Sequence, residues 1–261
     1  MMREHLREFW RHRELTLSFA LRDIKARYRQ TALGAAWAVV HPFSLMVVFT
    51  LVFSRFAKVS TDGIPYPIFS YTSLIFWTFF AATVSQGTVA MTANASLVRK
   101  IYFPRETLLI AVILCASLDL LIAATIFGGM LAYYRIAVSV TALWIPVLLV
   151  LQTLFALAII CLSSALHVNY RDLGHGLPLV LQLWLFATPV AYPLSLVPEA
   201  LKPFYVLNPM APIIEGYRRV ILLGLPPDPV QLLQAAVIVL AFAAAGYAFF
   251  KRAERTFADV I

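Results

Sequence analysis

Asp119 is the only Asp, Glu, Lys or Arg between Thr107 and Tyr134. A carboxylate at the centre of an apolar span costs about 2.5–3.5 kcal/mol, so it is expected to face a partner inside the protein. It reads either as a proton or ion site or as an acid hydrogen-bonded between helices. No second carboxylate lies within an apolar stretch, which favours the interhelical acid. The five histidines (His5, His12, His41, His167, His175) show no metal-ligand spacing within one helix, so no metal site is expected. Cys115 and Cys161 stand in apolar surroundings and read as small packing residues. The sequence has no Gly-x-x-x-x-Gly-Lys-Ser/Thr, His-Glu-x-x-His, Cys-x-x-Cys or Gly-x-Ser-x-Gly. No catalytic residue is therefore assigned. Aromatic side chains carry the remaining potential for recognition. Phe49, Phe53 and Phe56 share one helical face, as do Trp184, Thr188 and Tyr192, with Trp77 and Phe80 between them in sequence. Such rings pack against lipid and neighbouring helices, or they stack on the apolar faces of sugars as other aromatic platforms stack on bases.

These residues sit in a chain of 261 residues that is 61% hydrophobic and 13% charged, with a net charge of +8. Its mean hydropathy is +0.82. Too few polar side chains remain to cover a water-facing surface, and the apolar content excludes disorder. Stretches without charge predict an all-α integral membrane protein with six helices, at 33–56, 68–91, 108–134, 142–166, 177–194 and 230–250. The fifth carries Pro189 and Pro193 and is expected to kink or stop early. With the N-terminus inside, the inner segments hold 15 of the 21 Lys and Arg residues. That asymmetry predicts both termini in the cytoplasm. It also explains the positive charge without a nucleic-acid partner. The first residues lack the apolar core of a cleavable signal peptide. The whole chain, 1–261, reads as one transmembrane domain.

Three segments outside the spans have character of their own. Within the cytoplasmic segment 1–32, residues 15–30 predict an amphipathic helix with Leu17, Leu21, Ile24 and Tyr28 toward the membrane. Arg22, Lys25 and Arg29 would meet lipid phosphates, and Asp23 can reach Arg27 four residues on. Residues 94–106 predict a short basic helix, capped by Asn94 or Ser96 and ended by Pro104. Its face holds Leu97 and Ile101, with Arg99, Lys100 and Arg105 for charge; such a helix suits docking of a cytosolic partner. Residues 195–228 predict an outer helical hairpin whose second arm opens at Asn208-Pro209 and stops near Gly224. There Ile213, Ile214, Tyr217, Val220 and Ile221 are apolar, and Glu215 is expected to pair with Arg219. This hairpin is too short and too charged to span, so it should cover or line something.

Several stretches, in order, resemble the permease subunits of type-2 ABC exporters for cell-surface polysaccharides. They are Arg22-Asp23-Ile24-Lys25-Ala26-Arg27-Tyr28-Arg29 through Trp37 with Pro42, then Leu97-Val98-Arg99-Lys100 with Phe103-Pro104-Arg105-Glu106. Tyr170-Arg171-Asp172-Leu173, Thr188-Pro189-Val190-Ala191-Tyr192-Pro193, Leu207-Asn208-Pro209-Met210 to Tyr217-Arg218 and the tail from Phe250 complete the set. The resemblance covers nearly the whole chain. It implies a homodimer bound to two cytosolic nucleotide-binding ATPase subunits that hold ATP and Mg, with no cofactor in this chain. It also implies ATP-driven export of a lipid-linked glycan such as O-antigen, capsule or teichoic acid, across the bacterial plasma membrane. Residues 94–106 and Tyr170–Asp172 would be the ATPase-coupling elements, the N-terminal helix an interface helix, and 195–228 the gate hairpin with Asn208, Pro209, Glu215, Tyr217 and Arg218. Aromatics of spans one, two and five would line a path between two copies. Two rival readings stand beside this one. A drug or small-lipid exporter of the same type needs no continuous aromatic path. A membrane-embedded enzyme acting on lipid-linked sugars would draw on Asp119, His41 or Glu215, which are scattered in sequence.

Overall fold

The computed structural model describes residues 13–29, 34–61, 63–201, 205 and 207–260. Arg3, Arg7, Arg11, residues 30–33, Lys202 and Phe204 of the segments above lie outside the described residues. Among those described, every regular element is helical. They are α1 (Arg13–Arg29), α2 (Trp37–Phe49), α3 (Tyr66–Ala93), α4 (Ala95–Lys100) and α5 (Glu106–Tyr133), followed by α6 (Ile145–Asn169), α7 (Leu173–Ala187), α8 (Met210–Ile221), α9 (Pro229–Ala253) and α10 (Phe257–Val260). A wider-wound π-helical turn, Thr50–Phe56, continues α2.

Five helices are long and apolar enough to cross a membrane: Gly34–Phe56, Tyr66–Ala93, Glu106–Tyr133, Val140–Asn169 and Pro229–Thr256. They coincide with five of the six expected spans. The sixth candidate, α7, has 15 residues, Leu173–Ala187, against an expected 177–194. At 1.5 Å per residue it reaches about 22 Å, short of the roughly 30 Å hydrocarbon thickness. Its early end has a local cause. Pro189 disfavours the helical conformation in the residue before it, and Thr188 is extended at φ −108°, ψ 140°.

Helix α3 is the axis of the bundle. In its most apolar stretch 78% of residues are buried, against 17% in the first and last spans. It packs on α2, α5, α6, α7 and α8, while α9 packs on α6 and α1 on α5. Small residues permit the close approaches. A Cβ on Gly246 would lie 2.6 Å from the Ala158 carbonyl, and one on Gly87 2.6 Å from Ile160 Cγ2. Outward faces stay apolar, with Val237 and Leu240 exposed on α9, Leu179 and Leu183 on α7, and Val48 and Leu51 at the end of the first span.

Candidate functional site

The predicted residues fall into four groups in the bundle. At one end lie α4, α10 and the turn between α6 and α7. Helix α3 stops at Asn94, whose Nδ2 donates to the Ala90 carbonyl at 2.9 Å and whose Oδ1 accepts from Arg22 Nη2 at 2.8 Å. The expected side-chain cap is therefore absent, because Asn94 is engaged with α3 and α1 instead. Helix α4 ends at Lys100, before Pro104, and Ile101 is already extended. Within this segment the side chains divide. Val98 and Phe103 are buried, Phe103 edge-on to Phe19 of α1 at 5.6 Å, and Leu97 and Pro104 are partly buried. Arg99, Lys100 and Ile101 are exposed, and so is Tyr102, at 92%. Tyr170, Arg171 and Asp172 are exposed at the same end. No sequence pattern marks Tyr102, because an isolated tyrosine has no periodic partner. Arg105 points the other way, into the protein, where its Nη1 donates to the Glu254 carbonyl.

A helix, α1, covers most of the stretch expected to be amphipathic, but its charges are paired differently from the expectation. Arg22 takes Asp23 at 2.8 Å, while Arg27 bonds Asp119 and Gln86 and the Tyr28 hydroxyl donates to Asp119. Asp119 thus has the interhelical partners that a carboxylate in a span requires. Thr16 and Ala20 form the face buried against α5, while Leu17 and Leu21, with Lys25 and Arg29, are exposed. Arg27, Tyr28 and Asp119 also line a groove of about 780 Å³ between α2, α3, α5 and α7. Trp37, His41, Phe49, Trp77 and Gln182 line it.

Aromatic candidates from three helices gather beside this groove. Phe80 stacks on Phe155 at 5.6 Å, and Trp184 meets both rings edge-on at 5.4 and 5.9 Å and Trp77 at 6.3 Å. Trp77 and Phe80 are buried within the chain. Phe49 is buried and contacts Phe53 at 5.6 Å and Phe186 at 6.1 Å, whereas Phe56 is 81% exposed.

At the opposite end, the stretch Thr188–Pro193 is held by side chains. Trp184 Nε1 donates to Asn208 Oδ1 at 3.1 Å, Asn208 Nδ2 to Thr188 Oγ1 at 2.9 Å, and the Met210 amide to the same Asn208 oxygen at 3.2 Å. Tyr192 donates to the Phe186 carbonyl at 2.7 Å, and Tyr66 to the Ala191 carbonyl at 2.5 Å. Arg218 is the central clamp. Its Nη2 reaches the Val190 carbonyl at 2.5 Å and its Nη1 the Tyr192 carbonyl at 3.2 Å, with Glu215 at 3.5 Å and the Phe69 ring 3.9 Å below. Burial lowers the guanidinium to about 10, with Glu215 opposing the shift, so it remains charged at neutral pH. The expected Glu215–Arg219 pair is replaced by Glu215–Arg218, because Arg219 turns outward to the Pro226 carbonyl at 3.0 Å. Helix α8 itself is packed into the bundle. Tyr217 is fully buried and stacks on Phe76 at 3.5 Å, Pro209 is buried, and burial raises the Tyr217 hydroxyl well above its usual range. Helix α8 ends at Ile221, and Gly224 follows in the left-handed region at φ +64°.

The described residues thus form an apolar helical bundle with exposed charged side chains gathered at one end. Residues 14–222 match the model of the ABC-2 type transporter family, and the chain belongs to that family. It is therefore a multi-pass membrane protein of the transporter permease class. Among its relatives, the O-antigen export system permease protein RfbA of Myxococcus xanthus is 32% identical over 98% of both chains. A protein of the same name from Klebsiella pneumoniae is 25% identical over 95% of each. The polysialic acid transport protein KpsM of Escherichia coli is 21% identical over 90% of this chain and 91% of its own.

Proposed function

We propose that this chain is the channel-forming permease of an ABC transporter that exports lipid-linked polysaccharide, O-antigen in the first instance, across the bacterial inner membrane. The observation that carries the reading is the end-to-end likeness to an O-antigen export permease, 32% identity over 98% of both chains. Two copies form the conduit and two cytosolic ATPase subunits, which hold ATP and Mg, supply the force. The chain itself holds no nucleotide. Helix α7 with the turns that follow it makes the sixth crossing, which puts both termini in the cytoplasm and agrees with the inward bias of Lys and Arg.

In this reading Arg99, Lys100, Ile101 and Tyr102, with Tyr170–Asp172, form the face that meets the ATPase. Their common exposure at one end of the bundle supports it. Helix α1 lies at the cytoplasmic interface, with Leu17 and Leu21 toward acyl chains and Lys25 and Arg29 toward headgroups. Closure of the ATPases moves α4 and the α6–α7 turn. The groove bordered by Trp37, Phe49 and Trp77 opens toward the second copy, and sugars advance over its rings. The Arg218-clamped segment and α8 form the outer gate. Charge reversal at Arg99 and Lys100 tests the coupling face. The expected result is loss of surface glycan by tenfold or more, with the ATPase no longer co-purifying. Normal glycan display with the ATPase still bound refutes the assignment.

A further inference from the structure

The C-terminal tail touches the segment proposed to receive the ATPase stroke, and it does so through one arginine. Arg105 directly precedes α5, and its side chain is 18% exposed. Its guanidinium donates to the carbonyl of Glu254, lies 3.9 Å from that residue's carboxylate and sits 5.6 Å from the centre of the Phe257 ring. Phe257 is fully buried and meets Phe250 of α9 edge-on at 5.7 Å. A second set of bonds runs alongside. Glu106 accepts from Lys251 at 2.5 Å and from the Tyr247 hydroxyl at 3.2 Å, and Lys251 also holds Glu254 at 2.9 Å. Short helix α10 then packs on both α4 and α6. The start of α5 and the end of α9 are thus tied by charge, ring and carbonyl contacts at neighbouring points.

We propose that residues 254–260 are a strut joining the coupling segment to the last span, and that Arg105 is the positioning residue that seats it. Arg105 acts on the tail and does not contact the ATPase. Motion of α4 is then carried to α9 as well as to α3 and α5, because Arg105 makes the α4–α5 connection and the α9 terminus one body. The chemistry favours this role over docking. With Nη1 given to an internal carbonyl, the guanidinium set beside a buried ring and only 18% of the side chain exposed, Arg105 offers a second protein far less than Arg99 or Lys100 does. The inference rests on residues 94–106 being the coupling segment.

The test uses the full permease expressed with its ATPase, with glycan export and ATP hydrolysis measured per permease in membranes. Arg105→Met and Phe257→Ala are each expected to lower export by about tenfold while the ATPase still co-purifies and hydrolyses ATP. The double variant is expected to fall no further than the worse single one, because both substitutions break one device. Losses that multiply in the double variant overturn the strut, as does an Arg105→Met permease that sheds its ATPase. Export per permease that stays at the wild-type level in both single variants overturns it too, since the contact then transmits nothing. Lys100→Glu with Tyr102→Ala is the parallel control. If that pair leaves the ATPase bound and export intact, the coupling reading itself fails and the strut with it.

Discussion

Removing Arg27 should unseat α1. Asp119 is held by Arg27 and Tyr28, both from α1, and the Arg27 and Asp119 side chains are 29% and 22% exposed. Taking away one member of a buried pair costs 3–5 kcal/mol when burial is complete, because the other charge is left without compensation. Here residual exposure screens the pair, so Arg27→Met is expected to cost about 2–3 kcal/mol, a factor of roughly 30–150 in the docking equilibrium of α1. Asp119→Asn should cost less, about 1 kcal/mol. Its freed partner has a long stem that can turn to the polar interface, and an amide still accepts the Tyr28 hydroxyl. The double variant Arg27→Met, Asp119→Asn should recover most of the loss of Arg27→Met. The assay is limited trypsin digestion of inverted membrane vesicles, which reads cleavage at Lys25 and Arg29 as α1 lifts away. Thermal unfolding in mild detergent supplies the stability. Equal cleavage rates for wild type and Arg27→Met, or losses that simply add in the double variant, would refute the pairing argument.

Three further outcomes follow from packing. Gly246→Ala should destabilise the α6–α9 contact by about 1–3 kcal/mol, since the new methyl would meet the Ala158 carbonyl at 2.6 Å; the readout is a fall in the thermal midpoint. Tyr217→Phe should be neutral or stabilising by up to about 1 kcal/mol, because the Tyr217 hydroxyl is buried with no hydrogen-bond partner among the described residues while its ring keeps the Phe76 stack; a lower midpoint would contradict this. Asn208→Ala should cost about 2 kcal/mol by losing bonds to Trp184, Thr188 and the Met210 amide together, and a shift in tryptophan emission should report the loosened Trp184 indole.

Five spans were legible because hydropathy and length are local properties. The stop of α7 was legible for the same reason, since a proline acts on the residue beside it. Asp119 advertised the need for a partner, but Arg27 lies 92 residues away on another helix and no spacing rule connects them. Arg105 looked like Arg99 and Lys100 in the sequence. Only the position of Glu254 and Phe257 turns it inward. The Glu215–Arg219 expectation followed helical spacing alone. It failed because Arg218 lies on the buried side of α8, where free carbonyls compete for a donor. Phe80 likewise could be placed on a helix face from the sequence, but not against Phe155 and Trp184.

The clamp on Val190, Ala191 and Tyr192 makes chain length there inelastic. Three successive carbonyls are taken by donors fixed on α3 and α8. One inserted residue would put every later carbonyl out of step with its donor, and one deletion would do the same in reverse. The turn after α5 has no such carbonyl bonds at its tip among the described residues, where Val138 is 64% exposed. An epitope tag or a fluorescent reporter therefore belongs beside Val138, and the few residues after α7 should be the part of this protein where related chains cannot vary in length.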